Sequence, residues 1–226
     1  MIKVSCIIPF YNESLNPLYV IESVRKLRPR PEIIAVDDGS DDNSAFMALK
    51  QKYKDIVLLK LSKNKGKAGA IKSALAHVTS NYVLLIDGDL SSIKEYGITK
   101  AVDRIIKNPE IDMIILRRTN DKTAAYLPFL RDDIILSGQR ILKTEDLRKV
   151  FAKTINGYKL ESEINSFMMK RNKKVFWMPL SIKNRHKQHK WGYWEGIKIG
   201  LPGFFRYMFS PEMVRQILFF CKEEAI

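Results

Sequence analysis

Two short apolar runs in this chain each stop at acidic residues. Ile33-Ile34-Ala35-Val36 ends in Asp37-Asp38-Gly39-Ser40, and Tyr82-Val83-Leu84-Leu85-Ile86 ends in Asp87-Gly88-Asp89. A third run, Val4-Ser5-Cys6-Ile7-Ile8, precedes them. Unbroken apolarity, rather than alternation with polar residues, marks strands buried on both faces. Ile56 to Leu61 and Met113 to Leu116 read as two more strands. Stretches with helical spacing lie between the strands: 14–28, with Leu18, Ile21, Val24 and Leu27 on one side, then 43–53, an Ala-rich 67–78, and 95–107. Buried strands alternating with helices specify an α/β fold whose mostly parallel central sheet is flanked by helices. Ligands bind such sheets beyond the C-terminal ends of the strands. The acidic clusters fall at those ends.

The second half is less regular. Helices are expected at 144–152 and at 159–171, the latter with Leu160, Ile164, Phe167 and Met168 on one face, followed by a short strand from Val175 to Pro179. From Lys170 to Lys190 inclusive there are eight Lys or Arg and no acid. Over the 226 residues, 39 Lys and Arg against 25 Asp and Glu leave a net charge of +14. Such a surface expects an anionic partner: a phosphorylated small molecule, an acidic membrane or a nucleic acid. Two cysteines, Cys6 and Cys221, make neither a disulfide framework nor a zinc site, so a reducing compartment is expected. No signal peptide is expected at the N-terminus. No run of about 18 uncharged apolar residues occurs, so no transmembrane helix is expected. Ile197 to Phe220 is interrupted by Lys198, Arg206, Glu212 and Arg215. It reads as amphipathic helices that either pack on protein or lie in a bilayer surface.

The strand-end acids carry the chemistry. Asp41 to Ser44 suit a turn and helix cap, but Asp37 and Asp38 sit where a carboxylate can accept hydrogen bonds from a base or ribose. Asp87 and Asp89, one residue apart, repel each other unless a cation or donor lies between them. Hard cations such as Mg²⁺ or Mn²⁺ suit that oxygen pair and bridge to diphosphates. An EF-hand fails here, because Ser92 stands where its glycine belongs and Ile98 where its last glutamate belongs. Asn64-Lys65-Gly66-Lys67-Ala68-Gly69-Ala70-Ile71-Lys72-Ser73 falls short of a phosphate-binding loop, which needs glycine at Ile71. Lys65 and Gly66 can still meet an anion at a helix N-terminus; a glycine-bearing turn with solvated lysines is the equal alternative. Glu161 and Glu163 project about 200° apart on their helix, so one faces the site and the other solvent. Two of the three histidines, His186 and His189, fall in the basic Arg185-His186-Lys187-Gln188-His189-Lys190. That loop either grips phosphate or a metal, or contributes charge alone.

In order and separation, Val4 to Glu13 (with Pro9, Tyr11 and Glu13), Val36 to Ser40, Asn64-Lys65-Gly66 and Asp87-Gly88-Asp89 resemble the family 2 glycosyltransferases of GT-A, Rossmann-like fold. The second half resembles the dolichyl-phosphate-mannose-synthase-like, polyprenyl-phosphate members more loosely, through Ser137-Gly138-Gln139-Arg140, Gly157 to Glu163 and Pro179 to Arg185. The resemblance implies that Pro9, Tyr11, Glu13 and Asp38 hold the nucleoside. It makes Asp87, Gly88 and Asp89 the D-x-D element, with Asp89 on a Mg²⁺ or Mn²⁺ cofactor and His186 as its second protein ligand. Arg117, or its neighbour Arg118, and Lys65 would contact phosphate or sugar. Lys143 and Arg185 would meet the diphosphate or the acceptor phosphate. Glu161 or Glu163 would serve as base for a hydroxyl acceptor, whereas a phosphate acceptor needs none.

By the same resemblance, residues 1–195 form the GT-A domain, divided into a nucleotide-sugar-binding half (1–120) and an acceptor-side half (121–195). Residues 196–226 form the C-terminal amphipathic segment. The implied reaction moves a sugar, with inversion, from a UDP- or GDP-linked donor to a polyprenyl phosphate or other membrane lipid. The expected setting is the cytoplasm, peripheral on an anionic membrane face, as a possible homo-oligomer and with no nucleic acid partner. A soluble hydroxyl or phosphorylated acceptor is the alternative. A basic module binding nucleic acid or membrane is the alternative of another class, and it leaves the strand-end acids unexplained. The chain departs from the lipid-phosphate mannosyltransferase pattern at Ser91, where glutamine is usual, and at Gln139, where Ser-Gly-Phe is usual.

Overall fold

A computed structural model describes residues 2–119, 132–153, 160–184 and 211–220. The first half is built as the sequence predicts. Strands β1 (Val4–Phe10), β2 (Glu32–Asp37), β3 (Val57–Lys60) and β4 (Tyr82–Leu85) alternate with helices α1 (Asn16–Arg25), α2 (Ser44–Lys52) and α3 (Gly66–Leu75). After β5 (Leu90–Ile93) come α4 (Glu95–Lys107), β6 (Met113–Arg118), α5 (Asp132–Ile135), β7 (Arg140–Lys143), α6 (Thr144–Val150) and α7 (Leu160–Lys170). Strands β8 (Val175–Leu180) and β9 (Ile182–Asn184) follow, and α8 (Pro211–Phe220) is the last described element.

Seven strands form one sheet in the order β3-β2-β1-β4-β7-β6-β8. Successive strand residues point to opposite faces, and both faces are covered. Cys6, Ile8, Ile33 and Ala35 pack with Val20, Ile21 and Val24 of α1 and with Ile98, Val102 and Ile105 of α4. Their neighbours Ile7, Ile34 and Val36 pack on the other face, with Ala70, Ile71 and Ala74 of α3 and Ile164 and Met168 of α7. This double burial is why the strands read as continuous apolar runs.

β1, β2, β3 and β4 are mutually parallel. The chain steps outward from β1 through β2 to β3, then returns to place β4 on the other side of β1. That reversal opens a crevice between the C-terminal ends of β1 and β4. Two features depart from the sequence reading. Arg140 to Lys143 forms a strand that no pattern marked; it runs antiparallel to both β4 and β6. A second, two-stranded sheet joins β5 to β9. Within the C-terminal segment, α8 is the described part: Gln216 and Phe220 are buried, and Val214 and Leu218 are exposed. No helix among the described residues is long and apolar enough to cross a membrane.

Candidate active site

The crevice is lined first by the loops after β1 and β2. Asp37 ends β2 fully buried, and its Oδ1 accepts the Ser40 N–H at 2.8 Å. The Ser40 hydroxyl oxygen accepts the Asn12 N–H at 2.9 Å, and Asn12 Oδ1 accepts the Asp41 N–H at 3.0 Å, so the two loops are tied together. Glu13 is buried beside them and accepts a bond from the Asn16 amide at 3.1 Å. Tyr11 is half-buried at the same strand end. Asp38 Oδ1 accepts the Lys65 N–H at 2.9 Å, which anchors the start of α3. Burial pushes the Asp38 carboxyl up, more than the Lys65 and Gly66 N–H groups pull it down.

Asp87, Gly88 and Asp89 follow β4 directly. The Gly88 N–H donates to the Pro9 carbonyl at 3.1 Å, and a Cβ on Gly88 would come within 2.7 Å of that oxygen, so only glycine fits. Asp87 and Asp89 are both half-buried. Each Asp87 oxygen has its own donor: Oδ1 lies 2.6 Å from Lys67 Nζ, and Oδ2 accepts the Gln139 side-chain amide at 2.7 Å. Lys67 also reaches Glu161 Oε1 at 2.9 Å. One ammonium therefore joins β4, in the first half, to α7, in the second.

Burial opposes the charge on Lys67, but the Asp87 and Glu161 carboxylates outweigh it and hold its pKa above the ordinary lysine value. Glu161 is pulled the other way. Burial raises its pKa, but Lys67 and then Arg140 overcome that, and it lies below the ordinary glutamate value. Gly138 makes room for the cluster. A Cβ there would meet Lys67 Nζ at 2.4 Å and Asp87 Oδ2 at 2.8 Å.

Behind the cluster, Arg140 is fully buried. Its guanidinium donates to the Ser137 carbonyl and to Asn165 Oδ1, the latter at 3.0 Å. Asn165 in turn donates to the Ile135 carbonyl at 3.0 Å and to Gln216 Oε1 of α8 at 3.1 Å. Arg117, at the C-terminal end of β6, pairs with Asp133 and lies over the Trp177 ring.

The residues singled out in the sequence are thus distributed unevenly. Pro9, Tyr11, Glu13, Asp38, Asp87, Gly88, Asp89 and Arg117 all lie at the C-terminal ends of parallel strands, and Glu161 reaches them through Lys67. Lys65 contributes its backbone to Asp38, while its side chain is exposed. The lysine that enters the site is Lys67. Glu163 is exposed, so Glu161 is the inward-facing member of that pair. Lys143 does not join the site. Because β7 runs antiparallel, Lys143 lies opposite Tyr82, at the start of β4, and pairs with Asp112 at 2.9 Å. There it lines a cleft with Ile2, Ser80 and Arg148 at the other end of the sheet. Arg185 and His186 lie outside the described residues, as does the side chain of Arg118. Lys67, Gly138, Gln139 and Arg140 were not among the assigned site residues. The Ser137-to-Arg140 segment drew notice only through its resemblance, and nothing in the sequence places Lys67 opposite Glu161.

The doubly covered α/β sheet, with paired carboxylates at its switch point, has the architecture of a GT-A fold. Solved structures share that fold. Glucosyl-3-phosphoglycerate synthase from Mycobacterium tuberculosis, in complex with Mn²⁺, UDP and phosphoglyceric acid, matches with a TM-score of 0.66 at 18% identity, over 91% of this chain and 78% of that one. A mannosyltransferase from Pyrobaculum calidifontis, in complex with GDP-Man and Mn²⁺, matches with a TM-score of 0.65 at 19% identity, over 96% of this chain and 63% of that one. The model of glycosyl transferase family 2 matches residues 5–176, more than half of the sequence, and the chain belongs to that family.

Among curated relatives, a dolichyl-phosphate beta-glucosyltransferase of Trichomonas vaginalis is 31% identical over 62% of this chain and 47% of its own length. The undecaprenyl-phosphate 4-deoxy-4-formamido-L-arabinose transferase of Photorhabdus laumondii is 30% identical over 55% of this chain and 39% of its own length. The chain thus spans less than half the length of these two relatives.

Proposed function

We propose that this chain transfers a sugar from a UDP- or GDP-linked donor to a polyprenyl phosphate, with inversion and with the help of a divalent cation. The observation that carries this reading is the placement of the D-x-D carboxylates at the end of β4, in the crevice between β1 and β4. Lys67 and Gln139 hold Asp87 there, and the half-buried Asp89 carboxylate two positions on is the candidate cation ligand. Among the described residues, no three His, Cys, Asp or Glu side chains gather into a protein cage. That donor set fits Mg²⁺ or Mn²⁺, which are commonly held by one or two carboxylates together with substrate phosphates. His186 remains proposed as a second ligand.

The loops after β1 and β2 would receive the nucleoside, with Tyr11 along it and the Glu13 and Asp38 carboxylates accepting from base or ribose. A bound cation would supply positive charge to the departing diphosphate. Lys67, and Arg117 at the C-terminal end of β6, would add preorganised charge there, a kind of contribution commonly worth about 3–4 kcal/mol of barrier per donor.

Glu161 supports a phosphate acceptor. A carboxylate paired with Lys67 and held below its ordinary pKa is a poor proton acceptor, so it would act as a brace. A phosphate oxygen is already anionic and needs no base. The polyprenyl-phosphate relatives and the exposed apolar side of α8 agree with a peripheral position at a membrane face.

The test is a calorimetric titration with UDP, GDP and their sugar conjugates, in Mn²⁺ and in EDTA, followed by transfer to a short polyprenyl phosphate. One nucleotide should bind with metal dependence, Asp89→Ala should abolish that binding, and proton NMR of the first-formed product should show the inverted anomer. Binding of no nucleotide would refute the donor assignment. Transfer only to a soluble acceptor would refute the lipid assignment.

A further inference from the structure

The site keeps a permanent cation of its own beside the D-x-D pair. Lys67 Nζ sits 2.6 Å from Asp87 Oδ1 and 2.9 Å from Glu161 Oε1, under the bare Cα of Gly138. It is only one-third exposed. Gln139 takes the second oxygen of the same aspartate. A bare divalent cation approaching Asp89 would therefore find the neighbouring carboxylate already occupied and a like charge bound to it. A nucleoside diphosphate changes this balance, because its oxygens offer ligands to the cation and acceptors to the ammonium together.

Resting on the reading of Asp89 as the cation ligand, we infer that Lys67 makes divalent-cation binding depend on the nucleotide. The ammonium weakens binding of the metal alone, and the diphosphate restores it by ligating the cation and accepting from the ammonium. Lys67 is thus a positioning residue for the cation site, and its function is electrostatic. A merely structural brace predicts the opposite sign, since losing a brace loosens the carboxylates and weakens every ligand of the site.

The experiment is titration of the full chain with Mn²⁺, followed by the electron paramagnetic resonance of free Mn²⁺, with and without UDP or GDP. Wild type should bind Mn²⁺ weakly alone and more tightly with nucleotide. In Lys67→Met, binding of Mn²⁺ alone should tighten roughly five- to tenfold, the scale of one unit charge acting on a dication at several ångströms in a solvated crevice. The enhancement by nucleotide should shrink by a similar factor, because the repulsion that the diphosphate relieves in wild type is already absent. Lys67→Gln keeps an amide donor for Asp87, should behave likewise, and carries the test if the methionine variant does not fold. Lys67→Arg should resemble wild type. Unchanged or weakened binding of Mn²⁺ alone in the neutral variants would overturn the inference while leaving the cation site standing. Failure of wild type to bind Mn²⁺ even with nucleotide would overturn both.

Discussion

The Gln139 side-chain amide donates to Asp87 Oδ2 at 2.7 Å, across 52 positions of sequence. It does so at the position where the resembling mannosyltransferases usually carry phenylalanine. A neutral amide thereby fixes one carboxylate of the D-x-D pair in this chain. Gln139→Leu removes that donor and leaves a half-buried charged oxygen short of one hydrogen bond, at a cost of about 1.5–3 kcal/mol in the interactions that depend on it. We expect kcat/KM for sugar transfer to fall by roughly 10- to 100-fold and the melting temperature to fall with it. An unchanged kcat/KM would show that Asp87 does not need this bond.

Gly138→Ala tests the same cluster by crowding it. The added methyl would contact Lys67 Nζ at 2.4 Å. The end of a lysine side chain can swing away, so the fold should survive with a melting temperature close to wild type. The ammonium should leave Asp87 and Glu161. Nucleotide-sugar affinity should then drop about tenfold in calorimetry, the scale of one lost charge-assisted bond.

The Lys67–Glu161 pair sets a pH window for stability. Glu161 titrates below the ordinary glutamate value of 4.5, so its contribution is present above that pH and is lost as pH falls through the lower, folded value. Lys67 titrates above the ordinary 10.5, so its contribution is present below that pH and is lost only as pH rises further. Urea midpoints should therefore fall on acidification below about pH 4.5. The acid slope should be smaller in Glu161→Gln. Equal acid slopes in the two proteins would mean that the pair does not contribute.

Asn165 connects buried Arg140, the Ile135 carbonyl and Gln216 of α8. Asn165→Leu is close in volume and removes every one of those bonds. Leaving several buried groups unsatisfied should cost about 3–5 kcal/mol. A shift in the urea midpoint corresponding to less than about 1 kcal/mol would mean that the groups find other partners.

Much of the first half was legible because its signals are local. The runs at Ile33 and Tyr82 are apolar on both sides, and the acids that stop them stand next to them in sequence. The helix from 95 to 107 was legible as a helical stretch, and the structure shows it burying Ile98, Val102 and Ile105. β7 was not legible. Arg140-Ile141-Leu142-Lys143 is too short to show a period, and it becomes a strand because β4 and β6 each present an open edge to it. Lys143 was misplaced for the same reason, since an antiparallel strand carries its last residue to the opposite end of the sheet.

The sequence alone determined the α/β class, the strand ends where a ligand must meet the chain, and the acids waiting there, because burial pattern and turn chemistry act over a few residues. Tertiary structure decided which of those acids act together. Lys67 rather than Lys65 enters the site, Glu161 rather than Glu163 faces it, and Gln139 reaches Asp87. Each choice depends on how helices and loops seat on the open sheet, and charge interactions between residues far apart in sequence exist only after that packing has brought them within a few ångströms.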